Sequence, residues 1–254
     1  MRTVKLTQAM KKLLSAALCA MTALLSVSCL SDIFDPSDPY GNNDNTTAFL
    51  DGNTLTYGEH NYTLDLSETE GSVTFTHFPS NVREFKILQN QLLGTSKPGV
   101  LALELMAMEM YRRNRTAGSA ALELCNVSTN TKTILSQLSQ KFPQKRGLQN
   151  DTDTYHQPYL IATFLKGATW ENKYQPEYPY VLSFYENTSP YVKQGEYSFS
   201  WFGNVYHWCI MRYGEKETDA SVVLIEDETL YLVTECPGYY YSATDIKTWE
   251  DTLL

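Results

Sequence analysis

The chain has 254 residues, 43% of them hydrophobic and 19% charged, a balance that excludes disorder and collagen-like repeats and suffices for one substantial core. A formal charge of −9 at pH 7 leaves no general Lys and Arg surface to neutralise phosphates, so nucleic acid is excluded as a partner class. At this length a core closes without a metal or disulfide staple.

Arg2, Lys5, Lys11 and Lys12 precede the apolar run Leu13–Leu25, the order of a secretory leader, and the run is too short to span a bilayer comfortably. The stretch Leu25-Ser26-Val27-Ser28-Cys29 resembles a bacterial lipoprotein signal, in which a small residue precedes the cysteine that becomes the lipidated N-terminus. The expected cleavage leaves residues 1–28 as leader and Cys29 as membrane anchor. Ordinary secretion is the alternative. Removing four basic and no acidic residues takes the net charge from −9 to about −13. Diacylglycerol plus an N-acyl chain anchors stably, because a second chain adds buried CH₂ groups at about 0.8 kcal/mol each. This reading places the protein in the cell envelope, lipid-anchored, on the outer membrane. Residues 29–47 are rich in Asp, Asn, Ser, Pro and Gly and read as a tether. Asp35, Asp38 and Asp44 lack the spacing of a calcium loop.

From residue 48 to 254 the pattern predicts a single α+β domain: a small N-terminal β meander, a layer of about four helices, then an antiparallel sheet of five to six strands. Ala48–Leu50, Thr54–Tyr57, Asn61–Leu66 and Ser72–Phe78 alternate with period two between Gly- and Asn-containing breaks. Asn81–Leu93, Gly99–Arg113, Ala117–Cys125 and Asn130–Phe142 carry helical spacing. In the second of these, Leu and Met cover most of the circumference, which predicts a central, buried helix. Gly147–His156 is unpatterned and reads as a loop. Tyr159–Leu165, Tyr180–Tyr185, Glu196–Phe202, Val205–Tyr213, Ala220–Ile225 and Thr229–Thr234 then read as strands with the helices as cover.

At Phe75–Pro79, Leu103–Asn114 and Tyr159–Pro176 the chain resembles a family of uncharacterised domains in gut-associated bacteria, several of them lipoproteins of a Bacteroidetes type. Cys236-Pro237-Gly238-Tyr239 also fits the family's closing segment. The resemblance covers most of 72–247. It implies one α+β domain and supplies no catalytic residue.

No motif announces catalysis, a metal or a cofactor: His-Glu-x-x-His, Cys-x-x-Cys, Gly-x-Ser-x-Gly and the Walker spacing are all missing from the sequence. Gly94–Gly99 reads as helix punctuation, and His77 reads either as a satisfied buried histidine or as a site residue. Cys209 and Cys236 fall in the late strand region, where they either pair in an oxidising compartment or bury as small hydrophobes; His207 shares a strand face with Cys209. Glu171, Glu177, Glu186 and Asp227 have no distinguishing context among the acids. The compositional excess is aromatic, with 18 Tyr, 10 Phe and 4 Trp. Trp170, Glu171, Asn172, Tyr174, Tyr178 and Tyr180 cluster in one loop whose rings suit sugar stacking or a protein interface. These features predict a lipid-anchored, non-catalytic module for a glycan, peptide or protein. The alternatives are a hydrolase of envelope or dietary polymers acting through carboxylates the sequence does not single out, and a structural assembly subunit.

Overall fold

The computed structural model describes residues 37–141, 160–198, 203–213 and 220–235. The leader, Cys29, Gly147–His156, Cys236 and Tyr239–Tyr241 lie outside the described residues.

The first four strands, β1 (Ala48–Asp51), β2 (Thr54–Tyr57), β3 (His60–Leu66) and β4 (Glu70–Phe75), form an antiparallel meander. Gly52 and Gly58 turn the first two hairpins at φ of 57° and 60°, where a Cβ would be strained. After the helices come β5 (Tyr180–Glu186), β6 (Glu196–Ser198), β7 (Gly203–Ile210), β8 (Ala220–Asp227) and β9 (Leu230–Glu235). The strand order is β1-β2-β3-β4-β5-β7-β8-β9, with β6 paired to β7, and every ladder is antiparallel. The α+β class, the meander and the helical layer are as the pattern predicts. The connectivity differs: β4 pairs with β5 from Glu70↔Tyr185 to Phe75↔Tyr180, so meander and late strands are one nine-stranded sheet.

One predicted strand is corrected. Within Tyr159–Leu165, residues Ala162–Phe164 form a 3₁₀ turn, and Leu160–Leu165 are buried without joining the sheet. A short, continuous apolar run has no period with which to tell a strand from any other buried segment.

The helices are α1 (Val82–Leu88), which runs on through a π-helical turn at Gln89–Leu93, then α2 (Lys97–Arg113), α3 (Arg115–Cys125) and α4 (Ser128–Lys141). Side-chain caps fix their starts: Asn81 Oδ1 accepts from Glu84 N, Ser96 Oγ from Gly99 N, and Asn114 Oδ1 from Thr116 N and Ala117 N. Gly94–Gly99 is thus the helix punctuation it reads as. Residues 98–111 of α2 are all buried, as its all-round apolar pattern predicts. The helix packs on β4, β5, β7 and β9. On the sheet, Leu55, Tyr62, Val73, Phe75, Leu182, Phe184, Val222 and Leu224 are each nearly or fully buried, each contributing on the order of 1.5–3 kcal/mol.

The segment from Asp38 onward, read as the end of a tether, is bound to the domain. Val82 N donates to Pro39 O at 3.1 Å. Asp44 Oδ2 accepts from Tyr57 OH and Asn81 Nδ2, both at 2.7 Å. Burial alone would raise the Asp44 carboxyl, but the donors Thr46, Tyr57 and Asn81 outweigh it and hold it well below the carboxylate range.

Candidate functional site

The aromatic loop is built around one side chain. Asn172 Oδ1 accepts from Thr169 N (3.0 Å) and Gln175 N (3.1 Å), while its Nδ2 donates to the carbonyls of Gly167 and Gln175. Lys166 N donates to Val181 O and Glu177 N to Lys166 O, both at 2.9 Å, which ties the loop to β5. Lys173 and Tyr174 take left-handed φ values of 64° and 52°, so the loop holds two residues in a costly backbone region. The six residues expected to form one surface divide. Tyr174 and Tyr180 are buried, Trp170 is half-buried, Glu171 and Asn172 are exposed, and Tyr178 is 63% exposed. Within a loop no periodicity tells inward rings from outward ones.

Phe78 packs on Phe75 and Tyr180 at ring separations of 5.0 and 5.8 Å, and the Arg113 guanidinium lies 5.2 Å over Phe78. The sequence stretches around Phe75 and Leu103–Asn114 thereby meet beside Tyr180, at the end of the sheet where Lys166 N is bonded to Val181 O. Here His60 and His77 stack, ring centroids 4.4 Å apart and 19° from parallel. His60 Nδ1 lies 2.6 Å from Glu84 Oε1, which also accepts from Tyr62 OH at 2.8 Å. Glu84 Oε2 accepts from Ser80 N and Oγ at 2.7 and 2.8 Å. Glu84 is fully buried and the His60 side chain is 21% exposed, so the carboxylate orients an imidazole at the surface. His77 was legible as a candidate; its stacking partner and Glu84 were not, because the pairing crosses three elements.

A second polar feature lies at the opposite edge, where the π-helical turn, the end of α3 and the β8–β9 turn enclose a groove of about 430 Å³. Gln89 and Asn126, both buried, line it beside the acidic rim of Glu123, Asp227 and Glu228. Asn126 Nδ2 donates to Glu104 Oε2 in the centre of α2, and Cys125 Sγ lies 3.4 Å from the same oxygen. Glu104 Oε1 has no hydrogen-bond partner among the described residues. Burial dominates the two weak donors and pushes the Glu104 carboxyl up to about 7. The signal for it in the sequence is an acid at position 104 inside an otherwise apolar helical run.

Of the other acids, Glu177 pairs with Lys166 at 3.4 Å on the surface and Asp227 joins the groove rim. His207 and Cys209 share β7 two positions apart, and Cys209 is buried. Its pairing with Cys236 falls outside the described residues. Among the described residues no group of three His, Cys, Asp or Glu side chains is placed to hold a metal ion, and no helix is long and apolar enough to cross a membrane.

Comparison with curated proteins and with solved structures gives no match. A family model does match, over residues 77–247, and takes in the groove, Glu84, His77 and the whole aromatic loop. The chain belongs to that family, a domain of unknown function designated DUF6935.

Proposed function

We propose that this chain is a lipid-anchored protein of the bacterial cell envelope, of the Bacteroidetes lipoprotein type, whose α+β domain binds a glycan, peptide or protein partner without catalysis. The leader and the Ser28-Cys29 junction support the anchor and outer-membrane placement. The observation that carries the binding role is the loop braced by Asn172, which leads into Tyr178, 63% exposed and edge-on to the buried Tyr180 at 5.8 Å. A ring displayed on a pre-organised loop recognises a partner with little ordering cost. Two experiments test this reading. Intact mass and palmitate labelling, with globomycin and a Cys29→Ala control, should show an acylated Cys29 in a membrane fraction; an unacylated, soluble mature protein overturns the anchor. On glycan and peptide arrays, Tyr178→Ala should weaken the strongest hit about tenfold or more, and unchanged binding removes the loop from the interface. Tyr174 and Tyr180 are unsuitable probes because both are buried.

A second reading, a hydrolase, is favoured by one arrangement only: the buried Glu84 carboxylate 2.6 Å from His60, whose side chain is 21% exposed, which is how a general base is oriented. Under that reading His60→Ala abolishes any polymer-cleaving activity while leaving the thermal midpoint within a few degrees. Activity that survives the substitution rejects it.

A further inference from the structure

Lys97 is the first residue of α2, directly after the Ser96 cap, and the first turn of the helix contains no acidic residue. A cation there faces the positive end of the helix dipole, so helix chemistry does not favour a lysine at this place. Its ammonium is received by rings instead. Lys97 Nζ lies 4.2 Å from the Tyr206 ring centroid, 5.8 Å from that of Tyr231 and 6.0 Å from that of Trp208. Tyr206 and Trp208 stand two apart on β7 and Tyr231 stands on β9, so all three project to the helix-covered face of the sheet. Tyr206 and Tyr231 meet edge to face at 5.7 Å and 81°, which sets them as two walls of one recess. Glu226 is the register partner of Tyr231, and its Oε2 accepts from Tyr206 OH at 3.4 Å, which steadies the Tyr206 ring. Trp208 is buried, and its Nε1 has no hydrogen-bond partner among the described residues. A ring needed for packing alone would be a Phe or Leu with no donor to bury; an indole offers the strongest negative face for a cation.

Three ring faces recognise an ammonium by its charge and size, whichever molecule carries it. We propose that Tyr206, Trp208 and Tyr231 form an alkylammonium-binding cage, occupied in this structure by the protein's own Lys97, which accepts a free methylated ammonium once the lysine is withdrawn. The assignment stands apart from the partner-binding reading above, since neither the loop nor the anchor enters it.

The probe is tetramethylammonium chloride, titrated into the mature chain carrying Lys97→Ala, with sodium chloride at equal ionic strength and neopentyl alcohol as the neutral isostere. Binding is read from the indole N–H signal of Trp208 in a ¹⁵N–¹H spectrum, assigned with Trp208→Phe. A saturable shift with tetramethylammonium and none with either control is expected. It should be at least tenfold weaker in the wild type, where Lys97 competes, and lost when Tyr206→Leu is added to Lys97→Ala. No saturable shift, the same shift with neopentyl alcohol, or equal affinity in wild type and variant overturns the proposal. If Lys97→Ala does not fold, as judged by circular dichroism, Lys97→Ser opens the same recess with a residue a first helical turn accepts, and is held to the same outcomes.

Discussion

Glu104 and Glu109 are both fully buried on α2, yet their neighbours set them in opposite directions. Burial pushes each carboxyl up. At Glu109 the charges and hydrogen bonds of Arg112 and Arg113, at 2.6 to 2.9 Å, outweigh it and hold the group below the ordinary range. At Glu104 only Asn126 and Cys125 oppose it, and the group rises to about 7. A carboxyl raised in the fold stabilises below its unfolded value, and that contribution is lost as pH rises through the folded one. Wild-type stability should therefore fall by roughly 3 kcal/mol between pH 4.5 and pH 7.5 through Glu104 alone. Urea denaturation of Glu104→Gln at pH 5 and pH 8 measures this: the variant should gain on the wild type at pH 8, and a difference that does not change with pH removes Glu104 as the titrating group. Glu109→Gln should cost about 3–5 kcal/mol at both pH values, because it leaves two guanidinium groups without their buried counter-charge.

At the scale of elements, α2 and α3 approach so closely that a Cβ on Gly118 would run into the backbone of Tyr111. In an exposed helix Gly→Ala stabilises by roughly 1 kcal/mol; here the sign should reverse, with Gly118→Ala costing about 3 kcal/mol in a thermal or urea melt. A stabilised variant would mean that the crossing has room to relax. The same helices show what is legible in a chain. The all-round Leu and Met of Leu101–Met110 announce a buried helix because no face is left for water, and the structure buries it. Period-two alternation places β2–β4 and most later strands for a similar reason: one face is wet. The run at Leu160–Leu165 defeats that logic because both of its sides are dry. The candidate sites were legible only as residue types. Asn172 as a four-bond brace depends on how one loop closes on itself, while Glu84 as the orienter of His60 and the recess around Lys97 join positions from different elements, and no spacing along the chain encodes such meetings.

For the whole molecule, the central fact is the ladder between β4 and β5, which joins two half-sheets across the entire helical layer. Phe75 and Tyr180 are register partners, so this ladder closes only after more than a hundred intervening residues have been placed. The β1–β4 meander needs only short turns. Contacts of such long range are entropically late, so the two halves should be structured before they unite. Leu182→Ala, in the joining ladder, should then raise the unfolding rate in a stopped-flow chevron while leaving the folding rate within about twofold; a folding rate slowed in proportion to lost stability would place the ladder in the transition state. During synthesis at about 5–20 residues per second, β4 is complete roughly 5–20 s before β5 has been made. For that interval Val73 and Phe75 lie on a strand with one bare edge. The chain's greatest exposure to aggregation thus falls while it is being made, in the time between its first hairpins and the arrival of the strand that seals them.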